Sequence, residues 1–439
     1  MADKRMIYTS KDKQLQSRKA ERTGDLAYHH LELTGESFQT VEGFGGCFNE
    51  LGYLALKKAG KEDQEQIMRN LFGKEECGFN YCRLPIGAND FAESWYSYNE
   101  TEDDYAMEHF SIARDRKYLI PYLREAVKHS GDLTLFASPW SPPTWMKFPK
   151  AYNYGTIRWE EDVLKSYALY FKKYVEAYQR EGITIDQIHV QNEPISDQKF
   201  PSCVWEGRKL KEFIRDYLGP EFDQHKTEIW LGTLNGPYDD YGDGNWQITQ
   251  YHHYANEVLG DEQARQYIKG VGYQWGGKHA LWQFHASYPD VKMIQTESEC
   301  GDGRNSWEYA EYVFHLMWAY FQNGAAAYTY WNMILAEGGL STWGWKQNSL
   351  VTISEDGAVT YQPEYYLMRH FSAFVKPGAV RMGLKGNFSG TALAFENPDQ
   401  SLAVILLNPF DEAKEITFSY KGECYRIEAD AHSFNTIML

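Results

Sequence analysis

The feature that most constrains this chain is a rhythm that sets in at about residue 41 and lasts to about residue 370. Short apolar or β-rich runs alternate there with long helical segments. The runs fall at 44–48, 81–86, 134–138, 188–191, 229–233, 271–273, 292–295 and 327–331, which makes eight. Between them lie amphipathic stretches. In 162–180, Val163, Tyr167, Tyr170 and Tyr174 recur at i, i+4, i+7 and i+11, one face of a helix. The stretch 306–321 is a second, opened by Ser306 as a candidate cap. Strands that alternate with helices build a parallel sheet, and eight of them can close it. The pattern therefore predicts an α/β fold, a (β/α)8 TIM barrel. A chain of 439 residues holds such a barrel with a small satellite to spare.

Beyond residue 371 the texture changes. TALAFENP, SLAVILLNP, EITFSY and ECYRIEADAHSFNTIML are β-like, and Asn-Pro and Lys-Gly pairs separate them. So short a segment would be marginal as a fold by itself. The first forty residues are also β-prone, as in LAYHHLEL. The expected division is residues 1–40 as the N-terminal part of a β side domain, 41–370 as the barrel, and 371–439 as the C-terminal part of the side domain. The side domain is thus small, all-β and built from both chain termini.

Charge and composition remove several classes of function. Lys+Arg 44 against Asp+Glu 61 leaves a net charge of −17, which disfavours nucleic acid and anionic membranes as partners. The N-terminus MADKRMIYTSKDKQLQSRK has no apolar core of a secretory signal, and no run approaches 18 apolar residues. A cytoplasmic location is expected, with no membrane contact. The six cysteines are scattered without a CxxC pair, which fits reduced thiols and suggests no metal site. No cofactor is expected. Oligomeric state is not legible.

In a barrel the reactive groups stand at the C-terminal strand ends. The fourth strand runs into Gln191-Asn192-Glu193-Pro194 and the seventh into Gln295-Thr296-Glu297-Ser298-Glu299. One loop glutamate is ordinarily a solvated charge. Two carboxyls at matching strand ends are what glycoside hydrolysis needs, one to protonate the leaving oxygen and one to attack the anomeric carbon. The second strand carries Arg83, which is costly in a barrel mouth unless paired and would keep a neighbouring carboxylate ionised. Aromatic residues make up 16% of the chain, and a large core accounts for many of them. However, Trp140, Trp145, Trp275, Trp331, Trp343 and Trp345 fall at strand ends or in the loops that follow. Flat rings there can stack on sugar faces, while Asp90, Asn192 and Asn332 can meet sugar hydroxyls.

These motifs resemble glycoside hydrolase family 30, the glucosylceramidase-like family of retaining β-glycosidases. The resemblance rests on Gly43-Phe44-Gly45-Gly46-Cys47-Phe48-Asn49-Glu50, Arg83-Leu84-Pro85 and Ala137-Ser138-Pro139-Trp140-Ser141-Pro142-Pro143-Thr144-Trp145-Met146-Lys147. Asn192-Glu193-Pro194, Thr296-Glu297 and Tyr330-Trp331-Asn332 follow in the family's order. It implies a barrel with a side β-domain and a double displacement. Glu193 would be the acid/base and Glu297 the nucleophile, with Arg83 and Asn192 as supports. Asp90, Trp140 and Trp331 would bind the nonreducing sugar. Tyr273 and Trp275 stand where lysosomal glucosylceramidase carries a His-Trp-Tyr run, so the substrate subsite is expected to differ there. Trp343 and Trp345 complete the expected carbohydrate-binding set.

The expected activity is exo-hydrolysis of small β-glycosides or oligosaccharides, of β-glucosidase, β-xylosidase or β-fucosidase type. The alternatives are an endo-acting β-1,6-glucanase or xylanase of the same family, or a noncatalytic carbohydrate-binding protein on the same scaffold. A metal-dependent lyase would need a ligand cluster at the strand ends, and none is evident. Candidate lids over the site are 89–104, 196–205, 237–246 and 337–346.

Overall fold

A computed structural model describes residues 4–236 and 253–439. Among the described residues, eight parallel strands close into a barrel in chain order. They are Gly43–Cys47, Tyr81–Ile86, Thr134–Pro139, Gln187–His189, Glu228–Leu234, Ile268–Gln274, Lys292–Glu297 and Ala325–Asn332. The last pairs with the first from Ala327 opposite Gly43 to Asn332 opposite Cys47, which removes both sheet edges.

The pleat sorts the side chains. On the second strand Cys82, Leu84 and Ile86 join the large core between barrel and helices, while Tyr81 points inward to a small cluster with Phe136, Trp230 and Ile294. His189 stacks against Trp230 at 5.5 Å in the same layer. So large a ring in the barrel interior needs a gap on the neighbouring strand. Gly270 supplies it, since a Cβ there would come within 2.3 Å of the Trp230 ring. The helix Glu161–Arg180 buries Val163, Tyr167, Tyr170 and Tyr174 against the barrel, the face read from the sequence. In the helix Trp307–Gln322, Ser306 caps the first turn by accepting from the Tyr309 N–H.

The second body is a ten-stranded sheet that curls around its own core of Met6, Leu31, Val404, Ile416, Phe418 and Ile437. Four strands come from the N-terminus (Arg5–Ser10, Lys13–Lys19, Glu21–Thr23, His29–Thr40) and six from Val380 onward. The strand Leu402–Asn408 is apolar at almost every position because both of its faces are covered. Leu402, Val404 and Leu406 face the sheet's own core, and Ala403, Ile405 and Leu407 belong to the barrel core. Phe321 and Phe371 on barrel helices stack on each other, and Phe321 meets Phe395 across that junction. Residues 371 and 372 end the helix Pro363–Ser372 rather than opening the sheet, whose strand Val380–Lys385 starts after the Pro377-Gly378 turn. Among the described residues, no helix is long and apolar enough to cross a membrane.

The helix Pro363–Ser372 also carries a buried polar link to the sheet. The two ring nitrogens of His370 stand 2.8 Å from Thr436 Oγ1 and 2.9 Å from Thr9 Oγ1, so one chain end is tied to the other through this ring. Burial pushes the His370 pKa down to about 3. The unfolded chain protonates this ring below its ordinary value near 6.5, and the folded chain does not until about pH 3. Stability is therefore lost as pH falls below 6.5. Wild type should lose about 2 kcal/mol more than His370→Gln between pH 7 and pH 5. Urea denaturation of both proteins at the two pH values measures this difference.

Candidate active site

Arg83 lies one pleat repeat above Tyr81 and so points into the mouth of the barrel, where it is fully buried. Its Nε and Nη2 donate to Ser138 Oγ at 3.1 and 2.8 Å, and Nη2 also donates to Asn192 Oδ1 at 2.7 Å. Nη1 donates to Glu297 Oε2 at 2.5 Å. The rings of Trp140 and Trp331 lie against the guanidinium, 4.5 and 5.5 Å from it at their centroids. Asn192 Oδ1 is shared with Gln274 Nε2 at 2.7 Å and Thr233 Oγ1 at 3.2 Å. One buried cation thus gathers residues from the ends of the second to the seventh strands.

Glu193 follows Asn192 at φ 47°, a left-handed conformation uncommon for a residue with a side chain, and it precedes Pro194. Two hydrogen bonds hold it there. Its N–H donates to the Thr233 carbonyl at 3.0 Å, and its carbonyl accepts from the Ser196 N–H at 2.9 Å. Strained positions of this kind persist where the surroundings over-determine them.

Glu193, Glu297 and Asp90 line one cavity of about 500 Å³, with Trp140, Trp275, Trp343 and Trp345 in its walls. Their electrostatic settings differ. Burial, then the charges of Glu297 and Asp90, push Glu193 up to about 8. Burial and the charge of Glu297 do the same to Asp90, also to about 8. One oxygen of Asp90, Oδ1, is buried without a hydrogen-bond partner. Burial also raises Glu297, but the Arg83 guanidinium in contact with it pulls its pKa back down. The site therefore holds one carboxyl with a cation in contact and two without.

Most of the residues expected from the sequence meet here, in two layers. Asp90, Trp140, Glu193, Trp275, Glu297, Trp343 and Trp345 line the cavity. Arg83, Asn192 and Trp331 lie behind it. Trp331 is 1% exposed, stacks against Trp140 at 5.5 Å and donates its indole N–H to Gln347 at 2.8 Å. Tyr273 is one exception. Gln274 turns inward to Asn192, so the pleat sends Tyr273 outward, where it packs on Phe284 at 5.6 Å in the core. Trp145 also misses the cavity and is buried under the loops, its indole bonded to the Asn99 carbonyl at 3.1 Å. Segments 89–104 and 337–346 touch through the Thr342 N–H and the Asp90 carbonyl, and 196–205 contributes Phe200 to the wall. Segment 237–246 lies outside the described residues. Ser138, Thr233, Gln274 and Gln347 were not singled out by sequence reasoning. Of these, Ser138 and Thr233 end strand candidates and Gln274 follows one, whereas Gln347 carried no signal.

Comparison with known proteins bears on the family and the fold. A model of the glycosyl hydrolase family 30 TIM-barrel domain matches residues 41–375, and one of the family's beta sandwich domain matches residues 378–437. The mouse (Mus musculus) lysosomal acid glucosylceramidase is 28% identical over 414 residues, 88% of this chain and 78% of that protein. The endo-1,6-beta-D-glucanase neg1 of Aspergillus fumigatus is 27% identical over 443 residues, covering 91% and 85%. Among solved structures, the endo-beta1,6-glucanase BT3312 superposes with a TM-score of 0.88 at 25% identity and covers 99% of both chains.

The Arg83–Glu297 contact makes a direct prediction. Arg83→Met strands Glu297 as a buried carboxylate without its cation and should cost about 3–5 kcal/mol in urea denaturation at pH 7. The double variant Arg83→Met, Glu297→Gln should recover a large part of that loss, because no charge is then left unpaired.

Proposed function

The chain belongs to glycosyl hydrolase family 30 and is a glycoside hydrolase, and we propose that it is a retaining β-glucosidase working through Glu297 and Glu193. The observation that carries this reading is the unequal setting of two carboxyls on one cavity. Glu297 has a guanidinium in contact, so of the pair it is the one that gives up its proton first. It attacks the anomeric carbon. Glu193, pushed up to about 8, is still protonated at pH 7 and gives its proton to the leaving oxygen. Once Glu297 is esterified, its charge no longer raises Glu193. Having given up its proton, Glu193 now stays ionised and takes a proton from the incoming water, and the glycosyl-enzyme is hydrolysed.

Asp90, with one oxygen unpaired, meets hydroxyls of the transferred sugar, and Trp140 stacks on its face. A β-glucosyl residue is favoured because one relative is named a glucosylceramidase and another an endo-1,6-beta-D-glucanase. Exo action on small glucosides fits a cavity of about 500 Å³ walled by Trp140, Trp275, Trp343 and Trp345. Endo action on a β-1,6-glucan is the second reading, favoured by full-length similarity to an endo-beta1,6-glucanase of known structure.

A panel of p-nitrophenyl α- and β-glycosides beside β-1,6-glucan tests the assignment. The expected result is cleavage of the β-glucoside with the β-anomer of glucose formed first by NMR. Release of long oligosaccharides from the glucan would favour the endo reading. Glu297→Gln should abolish turnover, and azide should restore it to Glu297→Ala with a product of opposite anomeric configuration. The kcat/KM profile should fall above about pH 8 as Glu193 loses its proton. In Glu193→Ala that limb should vanish, with losses of about 10²–10⁴-fold on alkyl glucosides and far less on nitrophenyl glucosides.

A further inference from the structure

The mechanism uses Glu297 but not the second acid of the same strand end, Glu299. Ser298, between them, turns its hydroxyl away to Tyr328 at 2.9 Å, and both glutamates line the cavity. Glu299 lies two residues beyond the end of the strand Lys292–Glu297 and is less buried than Glu297, which sets it nearer the mouth. Trp140 is buried in the cavity wall, whereas Glu299 is partly exposed. With the transferred sugar held between Glu297 and Trp140, a leaving group that extends toward the opening passes Glu299.

The position of Glu299 is fixed. The Tyr312 hydroxyl, on the helix Trp307–Gln322, donates to Oε2, which leaves Oε1 to the cavity. The cation of the adjoining loop, Arg304, also lines the cavity and is paired with Asp302 at 2.5 Å rather than with Glu299. Other walls of the cavity carry Phe200, Trp343 and Trp345, with Trp343 packed on both of the others at 5.4 and 5.0 Å. The indole Nε1 of Trp343 is buried with no acceptor. An aromatic wall with a spare donor and a pinned carboxylate with a spare oxygen are suited to a hydroxylated ring.

We propose that Glu299 is a specificity-determining acceptor for the leaving group, selecting a neutral, hydroxyl-bearing sugar there and rejecting an acidic one; this rests on the retaining-glucosidase reading. The Oε1 oxygen accepts a hydroxyl of the leaving sugar. A carboxylate on that sugar would meet the negative charge of Glu299, while Arg304, the cation on the same cavity, is already engaged by Asp302.

The experiment compares p-nitrophenyl β-glucoside, whose leaving group has no sugar hydroxyls, with a β-1,6-linked glucose disaccharide. In Glu299→Ala the ratio of kcat/KM on the disaccharide to that on the nitrophenyl glucoside should fall by about ten- to a hundredfold. An unchanged ratio, including equal loss on both substrates, overturns the proposal. Glu299→Gln keeps the shape and the acceptor for Tyr312 but removes the charge. It should raise kcat/KM for a disaccharide with glucuronic acid as leaving sugar, relative to the glucose disaccharide, and no rise overturns the charge selection. A wild type that cleaves none of these substrates overturns the β-glucosidase reading itself, which is distinguishable from an unchanged ratio in an active enzyme.

Discussion

A guanidinium buried without water must find all of its partners in the protein, and the site is organised around that requirement at Arg83. Ser138, Asn192 and Glu297 satisfy it from three other strand ends, and two indole rings close over it. Such a pair is a poor source of net stability, since desolvation offsets much of the attraction. What it fixes is asymmetry. Because the cation touches Glu297 and not Glu193, two residues of the same type acquire different proton affinities a short distance apart. A barrel places side chains from many strands on one point, and here that point is occupied by a charge.

Much of this was legible in the sequence, for identifiable reasons. A strand covered on both sides reads as an apolar run, so the eight barrel strands stood out. The inward direction of Arg83 follows from its spacing to Tyr81 once the strand is known. The carboxyls were visible because they sit where runs end. The direction of Tyr273 was not legible. Its strand is Ile268–Gln274, but the sequence pattern ended at 273, and a shift of one residue exchanges the faces of a pleat. The fourth strand covers only Gln187–His189 because the chain beyond it bends to set Glu193 at positive φ. No periodicity announces such a bend. Ser138, Thr233 and Gln347 are ordinary polar residues whose roles come from what the barrel brings beside them.

The aromatic excess also divides differently than composition suggests. Trp331 and Trp145 fall at strand ends or in adjoining loops yet are almost wholly enclosed, whereas Trp345 is 47% exposed at the cavity rim. A large ring at a strand end can brace the site from behind as well as line it, and only packing distinguishes the two roles.

The side sheet joins Arg5 to Met438 as direct strand partners, so the first and last strands of the chain lie side by side. On a ribosome the N-terminal strands emerge first and wait for partners that are made last. Until then the barrel helices must present Phe321 and Phe371 without the cover that the late strands provide. Contacts of this sequence separation are slow to form, which makes the interval between barrel closure and sheet completion the stage most exposed to aggregation. The same adjacency means that a short linker could join these two strands and new termini could be opened in a surface loop, producing a chain that does not have to wait.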